Sequence, residues 1–539
     1  MAFMLSLYGF PDRTGLKSLM VAREVCSLKV ERRSDARRKT RGRCKAVQSS
    51  PALTDRRAPR WVTKSRHRTN AIAGNTQERD HSMQHSINPA TGETLGSFAP
   101  PTAPQIEADL RAAEDAQKLW RAKSVADRMP LLGKLAEVLR KRVDDWAPLM
   151  TREMGKPLSQ ARAEIEKCAV ACDYYANNAV KLLDDVIVPS NASDSRVVHD
   201  PLGLLLAVMP WNYPFWQAMR AAAPAICAGN AVVLKHAGNV PQCAQALGEL
   251  FREAGAPKGL FTVLLVDGSA VEALVNDRRI ACVTFTGSTP VGRTLASQAA
   301  HALKKQVLEL GGSDAFIVLA DADVEQAAKV AVTARFQNNG QSCIAAKRFI
   351  VEESVADRFA EVFCAGAQAL VVGDPMDEKT GLGPLARPDL RDDLDKQVQA
   401  TLKEGAILRM GGKVVAGKGN FYEATVLDRV AAGMTAAREE TFGPAAAILR
   451  VRSADDAIEV ANGTEFGLGA SLWTGNADTG RALSRQIEAG AVFVNGMVAS
   501  DARLPFGGVK QSGYGRELGM WGLHEFTNTK TVWTGPKTE

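Results

Sequence analysis

Between Ala103 and Trp146 the apolar residues recur at intervals of three and four, as in "DRMPLLGKLAEVLRKRVDDW", a spacing that predicts amphipathic helices. A third helix is predicted over roughly 158–182. Over 183–201 the pattern changes: "LDDVIVPSNASDSRVVHD" alternates in a strand-like way and is broken by Pro and Asn, as in a hairpin or an arm. Strands and helices then take turns, with "GLLLAVMP", "NAVVLKH", "LFTVLLV" and "ACVTFTGS" separated by helical stretches near 215–228, 241–254 and 269–276. That βαβαβ rhythm predicts a parallel sheet with helices on both faces, the α/β architecture that binds dinucleotides at its carboxyl edge. A second alternating set over 313–505, with "AFIVL", "KRFIVEE", "AAAILRV" and "AVFVNG", predicts a second α/β domain.

Composition adds an appendage to this picture. The chain has 539 residues and a formal charge of +7, yet residues 1–82 hold 19 Lys and Arg against 7 Asp and Glu, while the remainder holds 48 against 53. The basicity therefore belongs to a tail, the body is mildly acidic, and no general affinity for nucleic-acid backbones follows. Residues 1–82 lack sustained periodicity and are expected to be a disordered basic extension, with Met83 as the functional start. A transit peptide to an organellar matrix is the alternative, although such segments are poor in acids. Nine cysteines without a CxxC pair fit a reducing compartment, so a cytoplasmic protein is expected. Cys168 and Cys172 lie four apart on a predicted helix, but no matching His or Cys pair follows, and no metal site is expected. No apolar run reaches the ~18 residues that a membrane span requires.

Three places carry candidate chemistry. The strand "CVTFTG" runs into "GSTPVG", which puts Gly287 and Gly292 around a helix start where backbone amides approach a phosphate; two such glycines are as often structural. Glu309 ends an apolar strand in "VLELGGSD", where burial would raise its pKa and suit it to act as a general base; a solvent-exposed strand end is the alternative. Cys343 follows the turn "NNGQS", where amides can stabilise a thiolate or an oxyanion, and it reads equally well as a small core residue.

Taken together, "PWNYP" (210–214), "FTGSTPVG" (285–292), "LELGG" (308–312), "NNGQSC" (338–343), "EETFGP" (439–444) and "PFGGVKQSGYGRE" (505–517) resemble, in order and spacing, the motif set of the NAD(P)-dependent aldehyde dehydrogenase superfamily. The resemblance covers essentially 86–533. It implies that 83–182 with 202–310 form a Rossmann-type cofactor domain, 311–508 a catalytic domain, and 183–201 with 525–536 the strands that build a homodimer or homotetramer. It implies that Cys343 attacks an aldehyde as a thiolate, that Asn212 and the Cys343 N–H hold the oxyanion, and that Glu309 activates the water that hydrolyses the thioester. For the cofactor, it implies Trp211, Lys235, Gly287, Ser288, Gly292, Glu440 and Phe442. Members that prefer NAD often carry a Glu three residues beyond the Lys235 position; Gly238 stands there, so NADP is expected with NAD possible.

"KHAGN", "ELGGSDAFIVL" and "SDARLPFGGVKQSGYGRELG" are most similar to the succinate-semialdehyde dehydrogenase branch. That likeness implies Arg220 and Ser500 as contacts for the substrate's remote carboxylate. The chain departs from many members at Gln337, where a second Arg is common, with Arg335 two residues earlier. Glutarate semialdehyde and a small neutral aldehyde are therefore the alternative substrates. Transfer of the acyl group to coenzyme A in place of water is disfavoured by the presence of Glu309.

Overall fold

The computed structural model describes residues 83–536, so the expectations for residues 1–82 lie outside the described residues. The chain enters as an antiparallel hairpin, β1 (Gln84–Ile87) and β2 (Thr94–Phe98). Helices Ala103–Arg121, Val125–Lys141, Val143–Met154 and Leu158–Leu182 follow. The second of these starts where Ser124 accepts the Asp127 N–H, a capping bond that satisfies an otherwise unpaired donor. The helical stretch runs on to Met154, eight residues past the predicted end at Trp146, because Gly155 supplies the left-handed C-cap (φ 80°).

β3 (Val186–Ile187) and β4 (Ala192–Pro201) form the projecting arm. Then come β5 (Leu204–Val208), β6 (Ala231–Lys235), β7 (Phe261–Val263), β8 (Ile280–Thr286) and β9 (Lys305–Glu309), all parallel, in the order β9-β8-β5-β6-β7. β5 is "LLLAV", buried at every position, as expected of a strand covered on both faces. The order reverses direction between β5 and β8, and the crevice outside their carboxyl ends is where such sheets bind ligands.

The second sheet contains β10 (Asp314–Val318), β11 (Ala346–Glu352), β12 (Ile407–Met410), β13 (Thr425–Asp428), β14 (Ala445–Val451), β15 (Gly469–Trp473) and β16 (Ala491–Val494). Its order is β12-β13-β14-β11-β10-β15-β16, parallel except for the antiparallel edge strand β12. The chain then returns to the first sheet: β17 (Gly513–Tyr514) pairs antiparallel with the end of β9, Gly513 opposite Glu309. Phe506, Leu518, Leu523 and Phe526 are buried in the same core as β5 and β8. The segment after 508 is thus part of the first sheet's core, a junction the apolar pattern did not reveal. Finally β18 (Thr527–Pro536) pairs with β4 over its length, and the resulting three-stranded sheet exposes Val186, Ile187 and Trp533.

Candidate active site

The site grows from the ends of strands and from the turns that follow them. Beyond β5 the chain passes through Trp211 and Asn212 into helix Pro214–Cys227. The first turn of that helix is fixed from outside. Glu164 accepts the amide N–H groups of Phe215 and Trp216, at 2.9 Å each, and is ion-paired with the buried Lys156. A carboxylate at a helix N-terminus satisfies orphan donors and favours the dipole.

Opposite lies the cysteine turn. Asn338 and Asn339 adopt left-handed φ values of 55° and 58°, followed by Gly340 at 72°. Asn tolerates that region, but at 340 a Cβ would land on the Gly443 carbonyl, so glycine is required. Four backbone carbonyls, of Gly340, Ala346, Thr441 and Gly443, accept from the buried Arg335 guanidinium, which ties this turn to the "EETFGP" loop. Arg335 is spent on that clamp and does not face a substrate. Lys347 does similar work: its ammonium donates to the carbonyls of Ser342 (3.0 Å), Cys343 (2.8 Å) and Ala345 (3.2 Å).

Asn212 Nδ2 donates to the Gln341 carbonyl at 3.1 Å, and Asn338 Nδ2 donates to the Asn212 and Gln341 carbonyls at 2.9 Å. These bonds bring the oxyanion candidate beside the thiol's own turn and leave Asn212 one amide hydrogen for a ligand. Cys343 is half-buried. Burial pushes its thiol up to about 12, against the lowering influence of Arg220 and Lys347. The expected thiolate stabilisation by nearby amides is therefore outweighed in this state by desolvation.

Glu309 is 1% exposed, and neither carboxyl oxygen has a hydrogen-bond partner among the described residues. Burial holds its pKa well above the usual carboxylate range; Arg220 lowers it and Glu517 raises it. A Cβ at Gly507 would meet its Oε1 at 2.7 Å, so glycine leaves room for the side chain. A buried acid without a hydrogen-bond partner is a candidate for proton transfer.

Arg220 occupies a committed position. It is ion-paired with Glu517 and 2% exposed, its Nη2 donates to Thr286 Oγ1 at 3.3 Å, and its guanidinium lies 4.4 Å from the Phe506 ring centroid. The free cation expected from the sequence is thus largely neutralised by an acid that sequence reasoning did not assign. Ser500 Oγ accepts from Lys167 Nζ at 2.7 Å and from Trp216 Nε1 at 3.1 Å.

The remaining candidates surround the crevice between β5 and β8. Trp211 meets Phe442 edge-on, centroids 5.8 Å apart. Glu440 accepts the Gly312 N–H at 3.0 Å and lies 3.5 Å from Lys347 Nζ, its pKa raised by burial and opposed by Lys347. A Cβ at Gly311 would collide with that carboxylate. The Gly287 N–H donates to the Glu309 carbonyl at 3.0 Å, and Gly292 packs against Leu310. Ser288 is the exposed N-cap of helix Thr289–His301, its hydroxyl unused for capping. Lys235 closes β6, its pKa lowered by burial, apart from the cluster around Cys343. An uncapped helix N-terminus at Ser288, and a Gly238 whose added Cβ would meet only the Gln84 side chain at 3.8 Å, suit a dinucleotide phosphate. A cavity of about 310 Å³ near Asn88, Thr151 and Phe421 touches none of these residues. Among the described residues no cluster suits a metal ion, and no helix is long and apolar enough to cross a membrane.

A doubly wound dinucleotide-type sheet followed by a second α/β sheet, with Asn212 bonded to the turn that carries Cys343, defines the class. The model of the aldehyde dehydrogenase family matches residues 76–532, and the chain belongs to that family. It is 52% identical over 448 residues to a Synechocystis protein named probable succinate-semialdehyde dehydrogenase, NADP(+), covering 83% of this chain and 99% of that one. An Escherichia coli relative, succinate semialdehyde dehydrogenase Sad, NAD(P)+, is 50% identical, with 83% and 97% covered. The solved succinic semialdehyde dehydrogenase of Streptococcus pyogenes with NADP+ superposes with a TM-score of 0.82 at 37% identity, covering 84% of this chain and all of that one.

Proposed function

We propose that this aldehyde dehydrogenase oxidises succinate semialdehyde to the dicarboxylate with NADP+, NAD+ serving less well. What supports the reading is that Asn212 bonds to the turn carrying Cys343 and that the charge of Arg220 lowers the pKa of both Cys343 and Glu309. The relatives named for this substrate and cofactor support it at about half identity.

The Cys343 sulfur adds to the aldehyde carbon, and the oxygen that gains charge is met by the Asn212 amide and the Cys343 N–H. The nicotinamide, when bound, supplies a hydride acceptor for the carbon so activated. The acyl group then remains on sulfur as a thioester. Glu309, once deprotonated, takes a proton from water as that water attacks, and the Cys343 thiol leaves. Arg220 and the Ser500 hydroxyl hold the distal carboxylate throughout. Trp211 and Phe442 wall the nicotinamide end, Glu440 binds its ribose, and Gly287, Ser288, Gly292 and Lys235 serve the phosphates and the adenosine ribose. The absence of a carboxylate at Gly238 admits a 2′-phosphate. The exposed β3, β4 and β18 sheet serves a homodimer or homotetramer by adding to a neighbour's sheet.

Absorbance of reduced cofactor, followed with the full chain on succinate semialdehyde, glutarate semialdehyde and butanal, tests this. The highest kcat/KM is expected for succinate semialdehyde with NADP+. A higher value for butanal, or no reduction with any aldehyde, overturns it.

A further inference from the structure

Ser500 is 4% exposed and its oxygen receives two donors, Lys167 Nζ at 2.7 Å and Trp216 Nε1 at 3.1 Å. A hydroxyl has two acceptor sites and one proton, so both lone pairs are used and the O–H must point elsewhere. Among the described residues no acceptor takes it. Lys167 itself stands on helix Leu158–Leu182, one turn beyond the Glu164 that anchors Trp216, and its ammonium lies 4.5 Å from the Trp216 ring centroid. No carboxylate pairs with it among the described residues. The next acid along from Ser500, Asp501, is bound to Arg503 at 2.6 Å. Of the three N–H donors of the Lys167 ammonium, one is given to Ser500 and two have no hydrogen-bond acceptor among the described residues.

Trp216 and Arg220 are four residues apart on one face of helix Pro214–Cys227, and Asn212 precedes that helix. The charge of Arg220 is felt at Lys167 on one side and at Cys343 on the other. At one end of this polar row Asn212 donates to the Gln341 carbonyl, in the turn that carries Cys343. The other end is a half-buried ammonium and a hydroxyl proton, neither paired with a carboxylate among the described residues, although the charges of Glu164 and Asp501 act on the ammonium.

We propose that Lys167 is a specificity-determining residue whose ammonium, with the Ser500 hydroxyl, pairs with the carboxylate at the far end of the aldehyde. The inference rests on the reading of the chain as a semialdehyde dehydrogenase and deepens it. Lys167 supplies the second positive charge that Gln337 does not, from a different element of the fold. Arg220, already paired with Glu517, contributes one edge only. The same burial, together with Arg220, pushes the Lys167 ammonium down to about 8. An anionic substrate stabilises the protonated form, so binding weakens as pH rises through that value.

The test compares wild type, Lys167→Met and Lys167→Arg on succinate semialdehyde and butanal between about pH 6.5 and 9.5, roughly 1.5 units either side of the Lys167 value of about 8. For Lys167→Met the ratio of kcat/KM for semialdehyde over butanal is expected to fall by roughly 10- to 100-fold, mostly through KM. Lys167→Arg restores most of the ratio. In wild type the KM for semialdehyde rises above about pH 8 while that for butanal stays level, and in Lys167→Met this difference vanishes. A wild type that prefers semialdehyde while Lys167→Met keeps the same preference overturns the role of Lys167 alone. An equal loss on both substrates assigns the residue to structure and overturns it as well. A wild type that turns over butanal but shows no preference for the semialdehyde removes the semialdehyde reading, and this inference with it.

Discussion

Arg220 and Glu517 form an ion pair from which water is almost excluded, with side-chain exposures of 2% and 0%. Glu517 also accepts from Thr284 Oγ1 at 3.1 Å, so the acid is held to β8 while the arginine is held to the helix that follows β5. The pair thus spans the crevice beside Glu309. Replacing one partner leaves the other charge buried and uncompensated, which costs roughly 3–5 kcal/mol.

Glu517→Gln is therefore expected to lower the thermal unfolding midpoint by several degrees. It also acts on chemistry, because the negative charge of Glu517 raises the pKa of Glu309. Its removal lowers that pKa, so the base form of Glu309 is reached at lower pH and the acidic limb of the kcat profile moves to lower pH. A pH–rate profile that does not move, in a folded variant, contradicts the coupling.

The thiol of Cys343 is held up at about 12. Only the thiolate is nucleophilic, so its fraction grows about tenfold per pH unit below that value. Alkylation by iodoacetamide in the absence of cofactor should accelerate at that pace from pH 7 to 10 and be lost in Cys343→Ser. A rate that levels off near neutral pH, read by mass of the modified peptide, would show a thiolate already formed in the resting protein.

Much of this site was legible in the sequence, and the missing parts share a physical cause. The parallel strands announced themselves because continuous apolar runs such as "LLLAV" are what two-sided burial demands. Glu309 and Cys343 were candidates because a strand end followed by glycines and an Asn-Gly turn marked them, while Asn212 entered only through the family resemblance. Glu517, Lys347, Arg335 and Lys167 gave no such signal. Each is a charged residue whose partner lies far away in sequence, as with Arg335 and Gly443 or Lys167 and Ser500, and burial of a charge is visible only once the fold brings that partner in. The return of β17 to the first sheet was hidden likewise, since two residues pairing with Glu309 and Leu308 leave no periodicity to read.

Cofactor choice turns on a glycine. A Cβ at Gly238 would meet only the Gln84 side chain, at 3.8 Å, so a larger residue fits there. Gly238→Glu places a carboxylate where a 2′-phosphate is expected to lie. The ratio of kcat/KM for NADP+ over NAD+ should fall by at least about tenfold, the scale of one unfavourable charge contact. An unchanged ratio, measured at saturating aldehyde, would move the phosphate site away from Lys235 and Gly238.

The most direct measurement of the central claim is pre-steady-state turnover of Glu309→Gln with succinate semialdehyde and NADP+. If Cys343 carries the acyl group and Glu309 activates the water, a burst of about one NADPH per active site is followed by a much slower steady rate, and a succinyl thioester accumulates on the Cys343 peptide. A steady rate equal to wild type, or a burst with no acyl group on Cys343, contradicts the account.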